Sequence, residues 1–195
     1  MSLAQHKDAQ LRFRQQVDNS ATYVIPFIEE AFPLRGGMHV MEIGCGEGGV
    51  LEPFLKKGCQ CVGVELMASR LALAEQFLPE PLREGRLRLI NKNIYDLDFL
   101  GEFKESFDLI ILKDAIEHIP DQERLMGYLK QLLKPEGVIF LGFPPWYMPH
   151  GGHQQICQNK VLSMFPYVHL LPVPVYKSIL KGCGEGPSII KELLE

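Results

Sequence analysis

The stretch HVMEIGCGEGG, residues 39–49, concentrates residues whose types and spacing carry chemistry. Gly44, Gly46 and Gly49 spell G-x-G-x-x-G, the dinucleotide fingerprint, while Gly44, Gly46 and Gly48 spell G-x-G-x-G with Glu42 two residues ahead. Either loop, following a strand and opening a helix, lets backbone N–H groups approach a ligand closely. A lone glycine pattern is also what a tight turn needs, so the flanking residues decide its meaning.

Glu42 separates the two patterns. An acid two residues before Gly44 would meet a pyrophosphate with like charge. The same acid suits a ligand that bears an ammonium group. S-adenosylmethionine carries an ammonium, a sulfonium and a carboxylate but no phosphate, and amides at a helix N-terminus still bind its carboxylate. Glu65, at the end of the next apolar run, is placed to accept from ribose hydroxyls. Both cofactors contain a ribose, so Glu65 does not discriminate.

These residues need elements to hold them. The apolar runs predict strands near 38–43, 60–65, 86–91, 107–112 and 137–143, with helices at 3–32, from GGVLEPFLKKG, from ASRLALAEQFL and from DQERLMGYLKQLLK. Pro26 is expected to kink or divide the first helix, the prolines at 79 and 81 to stop the third, and Asp121 to cap the fourth. Alternation of strand and helix through 38–143 implies a parallel sheet with helices on both faces. Ligands then bind at the carboxyl ends of the strands. After Phe143 the pattern changes to a loop rich in Pro, Gly, His and aromatics, then short helices broken by Pro166, Pro172, Pro174 and Pro187. The whole reads as a single domain, with an N-terminal helical segment (1–35), a cofactor-binding core (36–145) and an acceptor-side region (146–195).

Composition limits the alternatives. The 195 residues suit one domain, and the net charge of −4 argues against a nucleic-acid binder that works through a broad basic face. No run reaches the ~18–20 apolar residues of a membrane span. Five scattered cysteines without a C-x-x-C spacing read as reduced thiols in a cytoplasmic protein, with Cys59 and Cys61 packing in the core and no metal site expected.

VMEIGCGEGG, VGVEL, NKNIYDLDF, DLIILKDAIEHIPD and LLKPEGVIFLGFPP fall in an order and spacing that resemble class I S-adenosylmethionine-dependent methyltransferases, in the small-molecule branch of the ubiquinone-biosynthesis type. The resemblance covers about residues 20–145. It implies a Rossmann-like, doubly wound sheet of order 3-2-1-4-5. It also implies that Glu42 and the Gly44–Cys45–Gly46 backbone hold the methionine end of the cofactor and that Gly48 opens the helix behind it. Glu65 would bind the ribose, and Leu66 and Met67 would lie along the adenine. Asn93 and Ile94 stand where the family usually has Asp and then an apolar residue, and the amide oxygen of Asn93 still accepts from an adenine amino group. Lys113 and Asp114 would lie near the methyl group. The family closes its sheet with an antiparallel strand pair, and this chain stops at SIIKELLE before such a pair. That pair is therefore expected to be missing, by truncation or replacement.

His118, just after the fourth strand, either orders its loop or takes a proton from the acceptor. Glu117 is a catalytic candidate or a solvated charge. Trp146, Tyr147, His150, His153 and Gln154 would form an acceptor pocket or a packed lid, with Tyr23 nearby. The expected partner is a small-molecule acceptor. Two other readings stand beside the methyltransferase: a non-catalytic S-adenosylmethionine-binding module, and an NAD-dependent oxidoreductase, which makes no use of Glu42.

Overall fold

The computed structural model describes residues 8–194. In chain order, α1 (Ala9–Asn19) runs through a π-helical turn (Ser20–Val24) into α2 (Ile25–Glu29), followed by β1 (His39–Ile43), α3 (Leu51–Lys56), β2 (Gln60–Val64), α4 (Ala68–Phe77) and α5 (Pro79–Arg83). Then come β3 (Leu87–Ile90), α6 (Leu97–Phe103), β4 (Phe107–Lys113), α7 (Gln122–Leu132) and β5 (Leu133–Gly142). Three further helices complete the described chain: α8 (Lys160–Met164), α9 (Val173–Gly182) and α10 (Pro187–Leu194).

The five strands form one parallel sheet of order β3-β2-β1-β4-β5. Strand alternation splits the core in two. Val40, Cys61, Leu109 and Ile111 pack on one face against α3 and the N-terminal helices. Met41, Ile43, Val64, Ile110 and Leu112 pack on the other against α6 and α7. Burying each such side chain contributes about 1.5–3 kcal/mol. The connections therefore cover both faces, which leaves the carboxyl ends of β1, β2 and β4 as the open edge of the sheet.

Several boundaries differ from those expected. The first helix divides just ahead of Pro26 through a π turn: proline has no N–H to continue the ladder, and Ser20 is drawn inward to donate to the Val50 carbonyl at 2.8 Å. Residues 3–7 of that expected helix lie outside the described residues. Pro79 starts α5 instead of only ending α4, since its fixed φ suits the first helical position. Helix α6 was not expected; its signal is the i, i+4 pair Phe99 and Phe103, whose rings lie 4.8 Å apart. β5 begins at Leu133, not near 137. Pro135 bars a helix and biases Lys134 toward extended geometry, so the chain enters the sheet early and reaches its main register through an irregularity between Phe107 and Leu109. Asp121 caps α7 as expected, accepting from the Arg124 amide at 3.2 Å.

The chain divides into two compact units between Phe143 and Pro144. The second has its own small core of Cys157, Leu162, Val168, Tyr176, Leu180, Ile190 and Leu193. Among the described residues no strand follows β5, and no helix is long and apolar enough to cross a membrane.

Candidate functional site

The site is assembled where β1 stops. Gly44 takes a φ of +76°, and the amides of Gly44 and Cys45 both donate to the Val64 carbonyl, at 2.8 and 3.1 Å. The glycine loop thus folds over the end of β2. A Cβ on Gly44 would stand 2.9 Å from that of Ala115, so a side chain here would collide with the segment after β4. Gly49 answers the question of the two glycine patterns. Its missing Cβ would lie 2.6 Å from the Phe13 carbonyl of α1, so this third glycine is required by helix packing and not by a phosphate. Gly48 turns the chain toward α3, its amide donating to the Cys45 carbonyl at 2.8 Å.

Glu65 sits just past β2 and is buried. One carboxylate oxygen accepts from the Gly46 amide at 3.0 Å and the other from the Met67 amide at 2.9 Å. One side chain therefore pins the glycine loop to the turn that opens α4. Asn91 fixes the same turn from just past β3, donating to the carbonyls of Glu65 and Leu66, both at 2.8 Å.

A cavity of about 240 Å³ opens at these strand ends. Of the residues singled out in the sequence, Gly44, Glu65, Leu66, Asn93, Ile94, Asp114 and His118 line it. Leu66 is 66% exposed, an apolar wall left uncovered beside buried Ile94. His118, in a short 3-10 turn after β4, is exposed at the same cavity. It therefore lines the same cavity as Glu65. Ile43, Val64, Arg70, Lys92, Tyr95, Ala115, Ile119 and Pro120 complete the lining. Tyr95 ties two walls together, its hydroxyl donating to the carbonyls of Pro120 and Asp121 at 2.7 and 3.0 Å.

Glu42, Cys45, Gly46, Gly48, Met67 and Lys113 do not line the cavity. Glu42 is 2% exposed on β1, between Gly63 and Ile111, and its Oε2 has no hydrogen-bond partner among the described residues. Burial pushes its carboxyl well above the ordinary range. Lys113 pulls the other way, and the charges of Glu65 and Asp114 add to the rise. Lys113 pairs with Asp114 at 2.5 Å, and Asp114 takes a left-handed φ of +52°. Asn93 already spends its side-chain oxygen on the Tyr95 amide at 3.0 Å, within an Asx turn, with one lone pair remaining.

In the second unit, His169 Nε2 meets the Trp146 carbonyl at 2.7 Å, and the two rings stand edge to face with centroids 5.4 Å apart. Gln154 is fully buried, and its amide nitrogen donates to the carbonyls of Leu162 and Phe165. That commits Gln154 to holding its loop, whereas Trp146 and Tyr147 remain exposed at 54% and 80%. Among the described residues no group of three His, Cys, Asp or Glu side chains is placed to hold a metal ion.

Residues 13–166 match the family model for a methyltransferase domain. The ubiquinone biosynthesis O-methyltransferase of Pasteurella multocida is 32% identical over 165 residues, covering 80% of this chain and 60% of that protein. The enzyme of the same name from Coxiella burnetii is 30% identical over 116 residues, covering 60% of this chain and 47% of its own. The chain thus spans about half to three-fifths of the length of these curated relatives. An S-adenosylmethionine-dependent methyltransferase from Mesorhizobium loti superposes with a TM-score of 0.55 at 24% identity, over 68% of this chain and 58% of that one. The glycopeptide N-methyltransferase MtfA, solved with S-adenosylmethionine, gives a TM-score of 0.50 at 24% identity, over 65% and 53%.

Proposed function

Since the chain belongs to the methyltransferase domain family, with a class I S-adenosylmethionine-dependent fold, we propose that it transfers a methyl group from S-adenosylmethionine to an oxygen, nitrogen or carbon nucleophile of a small-molecule acceptor. The observation that carries this reading is the cavity at the ends of β1, β2 and β4, where Gly44, Glu65 and His118 converge. The residues fit the cofactor. Each Glu65 oxygen accepts one amide and keeps a lone pair for a ribose hydroxyl. Leu66 and Ile94 offer an apolar wall to a purine. The unpartnered Oε2 of Glu42 lies behind the first glycine, outside the cavity lining; ionised, it would favour an ammonium group over a phosphate.

S-adenosylmethionine supplies a methyl group already activated by its sulfonium. The chain has three tasks: to hold the donor, to align the acceptor in line with the methyl–sulfur bond, and to exclude water. Alignment can supply on the order of 7–11 kcal/mol of barrier reduction. Once bound, the donor would give up its methyl group to the acceptor in exchange for the methyl–sulfur bond and would leave as a neutral thioether. His118, exposed at the cavity, takes the proton the acceptor loses. The test is a panel of phenol, catechol, amine and enol acceptors incubated with methyl-labelled donor. Labelled product with stoichiometric S-adenosylhomocysteine supports transfer. Tight cofactor binding with no labelled product from any acceptor class would favour a non-catalytic binding module.

A further inference from the structure

The glycine loop contains a charge that cofactor binding does not explain. Glu47, between Gly46 and Gly48, is fully buried. A buried carboxylate is costly unless paired, and this one is paired twice. Arg12 of α1 donates to Oε1 through Nη2 at 2.6 Å and Nε at 3.2 Å. Arg70 of α4 reaches Oε2 through Nη2 at 3.3 Å and Oε1 through Nε at 3.5 Å. The two grips are unequal: the Arg12 contact is short, and the Arg70 contact is long. Arg70 also lines the cavity, and its guanidinium carbon stands 3.3 Å from where a Cβ of Gly46 would be.

Helix α1 meets this loop at two further points. Its Phe13 carbonyl occupies the space a side chain at Gly49 would need. Ser20, in the π turn beyond its end, donates to the Val50 carbonyl. Of these contacts, the Arg12–Glu47 pair is the one whose partner continues to the cavity wall.

We propose that Glu47 is a positioning residue for the cofactor site: it locks α1 onto the glycine loop through Arg12 and holds Arg70 at the cavity wall, so that helix docking and cofactor binding are coupled. While Arg12 satisfies Glu47, Arg70 is held at arm's length with donors left over for the cavity. Without Arg12, Arg70 becomes the remaining cation for a buried carboxylate and is drawn to it, away from the ligand. Coupling of this kind is reciprocal, so a bound ligand must also strengthen the docking of α1.

The proposal rests on the cofactor reading above, and the experiment separates the two. S-adenosylhomocysteine is titrated calorimetrically into the full chain and into Arg12→Gln, Arg12→Lys and Glu47→Gln, well below their unfolding temperatures. Amide exchange across residues 9–19 is followed with and without ligand. The expected result is at least 10-fold weaker binding for Glu47→Gln and Arg12→Gln, with partial recovery in Arg12→Lys. Ligand should increase exchange protection of α1 in the parent and not in Arg12→Gln. Arg12 lies outside the cavity lining, so a merely structural helix contact would lower the unfolding temperature and leave affinity unchanged. Binding within twofold of the parent for a folded Arg12→Gln overturns the proposal, whether or not Glu47→Gln folds. A parent chain that does not bind S-adenosylhomocysteine overturns the cofactor reading itself, and this proposal with it.

Discussion

The Glu65 carboxylate accepts the Gly46 amide at 3.0 Å, joining two loops that lie 19 residues apart in sequence. This bond makes the glycine loop and the end of β2 a single rigid rim. Its companion bond to the Met67 amide sets where α4 begins. The acid that lines the cavity is also the acid that shapes the loop.

Glu42 and Glu47 lie five residues apart and respond to pH in opposite senses. Burial holds the Glu42 proton far above the ordinary carboxylate value of 4.5. In the unfolded chain that proton leaves near the ordinary value, so folding stability falls as pH rises above it. Glu42→Gln removes this penalty. Thermal unfolding should show the variant about as stable as the parent at pH 4 and measurably more stable at pH 8. The same variant should bind S-adenosylhomocysteine at least ~10-fold more weakly, because an amide cannot give up a proton to become the carboxylate an ammonium group would pair with. A Gln variant that is less stable at pH 8 would show that Glu42 is held as a carboxylate by a partner.

For Glu47, burial is the largest influence and raises the carboxyl, but the Arg12 hydrogen bond, the Arg70 charge and a backbone bond together bring it below 4.5. Its contribution is complete above the ordinary carboxylate range and is lost as pH falls through the lowered value. Glu47→Gln should therefore cost about 1–3 kcal/mol at pH 7, and the gap to the parent should narrow below about pH 4.5. Denaturant unfolding at pH 7, 5 and 3.5 checks the sign. A gap that widens in acid contradicts the ion-pair account.

His118→Ala should reduce turnover with a competent acceptor by roughly 100-fold or more, with partial rescue by added imidazole. Because His118 lines the same cavity as Glu65, its removal should also shift S-adenosylhomocysteine affinity, by less than about 10-fold (~1.4 kcal/mol). Turnover that falls without imidazole rescue would leave His118 as a loop-ordering residue.

The thiols test the packing of both units. Cys45, Cys59, Cys61 and Cys157 are buried, and burial raises each of them, Cys157 to about 11. Cys183 is exposed. A disulfide exchange reagent at pH 8 should titrate one thiol rapidly in the native chain and five after denaturation. Rapid reaction of Cys157 in the native chain would show that the core of the second unit opens readily.

Much of this architecture is legible in the residues. β1, β2 and β4 are short apolar runs ending in Gly or an acid, and a buried parallel strand has no other composition to hide behind. Their order came from the family resemblance, since alternation alone does not set it. β5 and α6 were misjudged where local rules compete: Lys134–Pro135 ends a helix but also feeds an edge strand, and two phenylalanines one turn apart are diluted by the acids around them. At the cavity, Gly44, Glu65, Asn93 and Asp114 are legible because topology places residues that follow a strand there. Arg70, Lys92 and Tyr95 are not, because they reach the cavity by side-chain direction from a helix and a loop. The Arg12–Glu47–Arg70 cluster joins three separate segments, and no local spacing announces it.

The central claim is that the cavity beside Glu65 is built for S-adenosylmethionine and not for a dinucleotide. Calorimetric titration of the parent chain and Glu65→Ala with S-adenosylhomocysteine and with NAD measures it directly. S-adenosylhomocysteine should bind at least 100-fold tighter than NAD (about 2.7 kcal/mol). Glu65→Ala should lose about 1–3 kcal/mol of that affinity, from unpaired ribose hydroxyls. NAD binding as tight as S-adenosylhomocysteine, or an affinity unchanged by removing Glu65, would contradict it.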